Sequence, residues 1–528
     1  MCAFKLRPSR RDLLKQTGAL SALAVAPFAA VEEVQAQAAP LRRTGTSANN
    51  LFTQLGVRPI INAHGTFTII TGSRSLPQVK QAMFEASHYF VHLDELMPKV
   101  GAEIASLMGA EGATVTTGCE AAIALATVAC ACGTDVELSQ AFPYTRKKSQ
   151  VIIPKHSRNP YDFGVRMTGM EIVEVDSAEE LQARLTEKVA MIYILSSPAA
   201  EKGPLSIPSI CAIAKTKNVP VFVDAAAEEP IAPNIHIQHG ASLVGYSGGK
   251  CMRGPQAAGL LIGQNDLTSA AWFQASPHHN YGRAYKVGKE EIMGILAAVR
   301  QWYKRDHTAE QAMWKGWMDQ IAAKVRGLPS VRVEYLGSED LSNNAPRLRI
   351  HWDATQLKIT GTELVKRLDE GTPRIMVDGG TGIRPDQMAS SLTIMSYMLD
   401  AFEIPIIADA IYEGLTKPGE YQNPTVPTGA AHVEGSWSVA LHYSRGMAEQ
   451  TFKLKQNGNE ISGEQIGELF RASLKGSVHG NQLKLHSRMP VSGHEIVWDF
   501  EGIVEGSMAQ GKVALGEYGT AEWQAKRT

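Results

Sequence analysis

The stretch from Val221 to Gly263, VFVDAAAEEPIAPNIHIQHGASLVGYSGGKCMRGPQAAGLLIG, carries the two residues best suited to chemistry. Asp224 ends an apolar run, and Lys250 follows Tyr246-Ser247-Gly248-Gly249, 26 residues later. A lysine set among small residues can form a Schiff base with an aldehyde cofactor, and a carboxylate can keep a cofactor's pyridine nitrogen protonated. The two groups must reach opposite edges of one ring, so they have to come from different loops. Alone, Ser-Gly-Gly-Lys reads as a surface lysine in a glycine turn, and a second feature has to decide.

That feature is ATVTTGCEAA, residues 113–122, which runs on into the apolar helix AAIALATVACAC. A β-branched strand meets Thr117-Gly118-Cys119 and then a helix N-terminus, where free N–H groups and the helix dipole favour a phosphate. Thr116 and Thr117 add hydroxyl donors. An ordinary strand-to-helix turn has the same pattern, and only the company of Lys250 tips the balance. Six cysteines, at 2, 119, 130, 132, 211 and 251, are too few for a disulfide scaffold and show no CxxC pair, which argues against a structural zinc site, and no metal is expected. Those around residue 130 read as small core fillers.

The elements that must position these groups are legible in the apolar pattern. Between residues 50 and 300, short runs such as VIIP (151–154), EIVEV (171–175), AMIYIL (190–195) and VPVFVD (219–224) alternate with helical spacing at 177–188 and 207–217. This predicts a large α/β domain with a mostly parallel sheet covered on both faces. Ligands of such sheets sit beyond the carboxyl ends of the strands, where Asp224 falls. Residues 301–418 predict a small α+β domain, with strands at VRVEYL and PRLRIHWD and a helix over 400–415. A linker at 419–430, centred on YQNPTVPTGA, leads to 431–528. There, alternating runs (436–443, 451–455, 482–486, 495–500) are punctuated by Asn457-Gly458, Gly480-Asn481 and Glu505-Gly506. The pattern predicts an antiparallel meander of seven or eight strands closing into a small barrel, with Trp437, Trp498 and Trp523 as core or rim.

Five blocks, INAHGTFTIITGS (61–73), FVHLDEL (90–96), KHSRNPYD (155–162), VDAAAEE (223–229) and SGGKCMRGPQAAG (247–259), resemble the fold-type I pyridoxal-phosphate enzymes. Within them, the chain is similar over residues 50–415 to the selenocysteine-synthase-like and D-glucosaminate-6-phosphate ammonia-lyase-like branch. The resemblance implies pyridoxal 5'-phosphate as cofactor, Lys250 as the Schiff-base lysine and Asp224 as partner of the pyridinium nitrogen. Ser247 and the Thr117-Gly118-Cys119 turn would hold the phosphate, and His156 would stack on the ring or serve as a hydrogen-bonded loop histidine. Arg158, Arg253 and Arg384 (in GGTGIRP, 379–385) are candidates to clamp a substrate carboxylate, since an arginine fork suits that group. Active sites of this fold usually lie between subunits, which implies a homodimer or higher homo-oligomer. GEYGTAEWQAKR (516–527) resembles a small lipocalin-like barrel.

Residues 9–15 contain the pair Arg10-Arg11, followed by the apolar stretch Gly18–Ala30 and the small-residue segment VQAQAA. The apolar stretch is shorter than the ~20 residues of a membrane span. Residues 1–38 therefore read as a twin-arginine export signal, with the mature protein in the periplasm and no stable membrane insertion. The 528 residues are 44% hydrophobic and 20% charged, an ordinary globular composition. Net charge is -1, without the basic excess of a nucleic-acid binder. Export also separates the chain from transfer RNA, so selenium transfer is not expected.

These features together favour a lyase that eliminates a β-leaving group or ammonia from a small-molecule amine, an amino acid or amino-sugar acid, through the Schiff base of Lys250. An amino-acid racemase or aminotransferase on the same scaffold, and a non-catalytic periplasmic binding protein, stay open beside it.

Overall fold

The computed structural model describes residues 50–144, 147–337 and 342–528. The export signal expected over residues 1–38 lies outside the described residues. A first strand, β1 (Ile60–Ala63), precedes the large sheet. That sheet is built from β2 (Gly112–Thr116), β3 (Gln150–Pro154), β4 (Glu171–Val175), β5 (Val189–Leu195), β6 (Val221–Asp224), β7 (Leu243–Ser247) and β8 (Gly259–Gly263). Its order is β2-β8-β7-β6-β5-β3-β4. All pairs from β7 to β4 are parallel, and β8 alone runs against both its neighbours.

Alternate residues of these strands supply two cores, because side chains of a strand point to opposite faces. Ile192, Ile194, Val221 and Val223 face one core, and Met191, Tyr193 and Phe222 face the other. Burial on both faces explains why the runs are continuously apolar. The helix Cys119–Cys132 is buried at every position except Glu120 and Ala131, and its alanines let it lie close against the sheet.

A second sheet has the order β1-β11-β12-β10-β9, with β9 (Arg332–Leu336), β10 (Arg347–Asp353), β11 (Arg374–Ile383) and β12 (Gln387–Met395). The structure departs here from the expected domain boundary at residue 50. β1 belongs to the smaller sheet, parallel to β11, with Ile61 opposite Ile375 and Ala63 opposite Val377. Ile61 and Ala63 are buried among Ile375, Val377, Ile394 and Ile407, so their burial is satisfied only there. The helices His307–Val325 and Glu403–Thr416 complete this core, the latter over the stretch predicted at 400–415.

From Gly435 the chain forms a closed antiparallel barrel of eight strands. They are β13 (Gly435–His442), β14 (Met447–Asn457), β15 (Glu460–Ile466), β16 (Arg471–His479), β17 (Gln482–Val491), β18 (His494–Glu505), β19 (Met508–Ala514) and β20 (Thr520–Arg527). Each strand pairs with the next, and β20 returns to β13. Gly458, Gly480 and Gly506 take positive φ (60, 57 and 63°) in the turns where the tight-turn dipeptides stand. Trp437, Phe452, Trp498, Phe500 and Trp523 fill the interior. Among the described residues, no helix is long and apolar enough to cross a membrane.

Candidate active site

β7 ends at Ser247, and the chain turns through Gly248 and Gly249 to present Lys250. Both glycines are required by close packing. A Cβ on Gly248 would lie 2.7 Å from the Ala258 carbonyl oxygen, and one on Gly249 would lie 2.7 Å from the Gln256 Cα. The Ser73 amide donates to the Gly249 carbonyl (2.8 Å), and Gln256 Nε2 donates to the Thr68 carbonyl (3.3 Å). The early segment 66–73 thus lies across the lysine's turn.

Asp224 closes the neighbouring strand, β6, and is 2% exposed. Its Oδ2 accepts from the Tyr193 hydroxyl (2.7 Å), and its Oδ1 accepts from the Ala226 amide (3.1 Å) and the Cys119 thiol (3.6 Å). Burial pushes its carboxyl above the usual carboxylate range, against the opposing pull of the Tyr193 hydrogen bond and the Lys250 charge. The same burial, with Asp224 beside them, pushes the Cys119 thiol and the Tyr193 hydroxyl well up. Both therefore stay protonated as donors to the carboxylate. Cys119 is not poised as a nucleophile.

Lys250, Asp224, Ser247, Thr117, Cys119 and Tyr161 line one cavity of ≈ 240 Å³. Gly118 sits at φ +87° as the cap residue of the helix Cys119–Cys132, with no side-chain cap on the first amides. Gly259 of β8 packs so closely under this turn that a Cβ would overlap the Gly118 backbone. A positive ring N–H would compensate the desolvated Asp224, an aldehyde carbon would meet Lys250, and a phosphate would meet the bare helix N-terminus. The residues fit pyridoxal 5'-phosphate.

Four of the residues singled out in the sequence are placed away from the cavity's lining. His156 stands on a 3₁₀ turn with its Nε2 buried and unpartnered, and burial lowers its pKa. Arg158 is held by Asp162 (2.5 Å), Glu174 and Ser492. Arg253 donates to the Arg74 carbonyl (3.0 Å), and burial lowers its pKa to about 10. It borders a separate cavity with Arg305 and His307. Arg384 forms a fork with Glu363 (2.6 Å). Arginines in these motifs are spent on carboxylates and carbonyls of their own fold, which spacing alone could not reveal. Among the described residues lining the cavity, Lys250 is the one cation.

The structure adds residues that sequence reading passed over. Tyr161, inside the KHSRNPYD block, places its ring centroid 5.9 Å from Lys250 Nζ. Tyr193 looked like one more core position of an apolar strand. Thr66, Thr68 and Gln256 also border the cavity, and Gln256 stands in the RGPQ block already quoted.

Comparison with known proteins agrees with this geometry. Residues 85–287 match the family described as Cys/Met metabolism PLP-dependent enzyme. The chain is 28% identical over 333 residues to D-glucosaminate-6-phosphate ammonia lyase of Salmonella typhimurium (strain 14028s / SGSC 2262), covering 61% of this chain and 87% of that protein. It is also 28% identical over 347 residues to 5'-C-glycyluridine monooxygenase-decarboxylase of a Streptomyces species, covering 63% and 85%. A solved structure of D-glucosaminate-6-phosphate ammonia-lyase superposes with a TM-score of 0.60 at 26% identity, covering 70% of this chain and 99% of the other. With its mixed sheets and the cavity at Lys250, the chain is a pyridoxal-5'-phosphate-dependent enzyme of fold type I, followed by a closed eight-stranded barrel.

Proposed function

We propose that the protein is a lyase that eliminates a β-leaving group or ammonia from an amino acid or amino-sugar acid. The observation that carries this reading is the placement of Lys250 and buried Asp224 on one cavity whose floor is a capless helix N-terminus. The relative named as an ammonia lyase supports the reaction type. When bound, the cofactor supplies an electron sink for negative charge at the substrate's α-carbon. The chain's own residues do the rest. Lys250 Nζ, lining the cavity, would take the α-proton of a substrate held there. Asp224, held by Tyr193 and Cys119, keeps the proton on the ring nitrogen. Ser247, Thr117 and the Gly118 and Cys119 amides anchor the phosphate. Tyr161 and the 66–73 segment cover the lysine and limit water's access.

The assignment is tested by borohydride reduction followed by peptide mapping, which should place the pyridoxyl group within Ser247–Arg253. A label on another lysine would overturn it. The reaction is tested with an amine panel assayed together for keto acid, ammonia and α-proton exchange. Keto acid with ammonia supports elimination. Exchange without net product would replace it by racemisation, and keto acid without free ammonia by transamination.

Export by the twin-arginine route to the periplasm is part of the same proposal, as are a homodimer and a lipocalin-like character of the barrel. Folded export suits an enzyme that loads its cofactor before leaving the cytoplasm. Arg10→Lys with Arg11→Lys should leave a cofactor-loaded precursor in the cytoplasm, and normal periplasmic accumulation would remove the export proposal.

A further inference from the structure

One turn of the barrel lies against the segment that carries Tyr161. In the β17–β18 turn, the Ser492 hydroxyl accepts from Arg158 Nη2. Its neighbour Gly493 has φ +86°, and a Cβ there would overlap the Asn159 carbonyl oxygen and lie 2.9 Å from Asp162 Oδ2. Burial first, then the charges of Asp224, Glu120 and, last, Glu517 in the Gly516–Tyr518 turn raise the Tyr161 hydroxyl.

From the Ser492-Gly493 turn a continuous set of hydrogen bonds runs inward. Arg158 Nε donates to Asp162 Oδ2 (2.5 Å), which also accepts from the Asn159 amide (3.3 Å). Asn159 Nδ2 donates to the Tyr193 oxygen (3.1 Å), and the Tyr193 hydroxyl donates to Asp224 Oδ2 (2.7 Å). Asp162 is fully buried, Asn159 is 7% exposed and Tyr193 is fully buried, so these bonds are shielded from water. Buried polar chains of this kind fix geometry, since each unmade bond inside is costly.

We propose that the barrel's Ser492-Gly493 turn is a positioning element of the Lys250 site, holding Asp224 in place through Arg158, Asp162, Asn159 and Tyr193. The inference rests on the reading of Asp224 as partner of the ring nitrogen. It gives the barrel a part in the enzyme although none of its residues lines the cavity. Tyr193 is the last link, and by donating to Asp224 it favours the ionised carboxylate that the ring nitrogen requires. The other groups around Asp224 are Cys119, the Ala226 amide, Lys250, Glu120 and Tyr161.

The test uses the full chain, stripped of cofactor and titrated with pyridoxal 5'-phosphate across pH. Tyr193→Phe should raise the dissociation constant by about tenfold, the size of one charge-assisted hydrogen bond. Ser492→Ala, at the far end, should raise it by roughly threefold, and Ser492→Thr should restore it. In both weakened variants, affinity should begin to fall on acidification at a higher pH, because a carboxylate that loses a donor is protonated more easily. Gly493→Ala should act like Ser492→Ala and more strongly. Should it unfold the hairpin, the Ser492 pair still decides. An unchanged dissociation constant and pH profile in Ser492→Ala would overturn the proposal. Asp224→Asn is the control: if it too binds cofactor as the native chain does, the reading of Asp224 fails, and not merely its link to the barrel.

Discussion

In the seven-stranded sheet, β6 ends in a buried carboxylate and β7 in a glycine turn that presents a lysine. In the barrel, each hairpin turn returns the chain to pair with the strand it has just left, and the last strand closes on the first. The contrast lies in what the strand ends do. Parallel strands must leave the sheet at their carboxyl ends, and the loops made there are free to converge on a ligand. Up-and-down strands spend their ends on turns. Both regions use glycine, for different reasons: Gly248 and Gly249 admit a neighbouring backbone, whereas Gly458 and Gly506 admit a positive φ with open space around them.

The strongest way to break the comparison is to remove the chemistry from one strand end at a time. Lys250→Ala removes both the covalent attachment and the proton shuttle, and turnover should fall by more than the ~10²–10⁴ that a lone general acid–base group contributes. Asp224→Asn should weaken cofactor affinity but leave Lys250 able to attach, and should slow α-proton loss by orders of magnitude, read as loss of solvent-deuterium exchange. Unchanged exchange in Asp224→Asn would mean that the carboxylate does not set the cofactor's electronics.

Glycine separates the regions at a smaller scale. In Gly249→Ala the new methyl group meets the Gln256 backbone at 2.7 Å, so Gln256 and the Thr68 segment it holds must shift. A cost of ~1–3 kcal/mol in urea unfolding is expected, together with weaker cofactor binding. Gly458→Ala meets nothing within 4 Å and pays only for a non-glycine residue at φ +60°, about 1–2 kcal/mol. Its cofactor titration should be unchanged. Similar cofactor affinities in the two variants would show that the Gly249 packing does not serve the site.

How much of this was legible in the sequence follows from the range of each interaction. The Lys250 turn, the Thr117-Gly118-Cys119 turn and the hairpin glycines are local, and residue types within a few positions describe them. The barrel's alternation is local too, which is why eight strands could be anticipated as seven or eight. The expected boundary at residue 50 puts Ile60–Ala63 with the large domain, whereas Ile60 pairs with Arg374 in the smaller sheet, and nothing near residue 60 records that distant partner. Tyr193 was hidden in AMIYIL, where a tyrosine among isoleucines looks like packing, and its role depends on Asp224 lying on the neighbouring strand. The partners of the arginines were hidden for a related reason. A guanidinium's type says it will meet an anion, and only the fold says that Asp162 and Glu363 are the anions met by Arg158 and Arg384.

The gentlest probe of the comparison is pH, because the two regions bury different kinds of polar group. The barrel buries uncharged side chains, Gln450, Gln465 and Ser487, whereas the large sheet buries Asp224. Burial raises the Asp224 carboxyl in the cofactor-free fold above its value in the unfolded chain, about 3.9. A group with a raised folded-state pKa contributes stability that is fully present below the unfolded value and is lost as pH climbs through the folded one. The cofactor-free protein should therefore lose stability over the window that opens near pH 4 and closes above the raised value. Asp224 facing a positive ring N–H of bound cofactor would not suffer that loss. The gap in unfolding temperature between loaded and stripped protein should widen with pH across this window, by a few degrees. In Asp224→Asn the amide does not titrate, and the widening should vanish. A gap that is independent of pH in the native chain would place the ring nitrogen elsewhere than against Asp224.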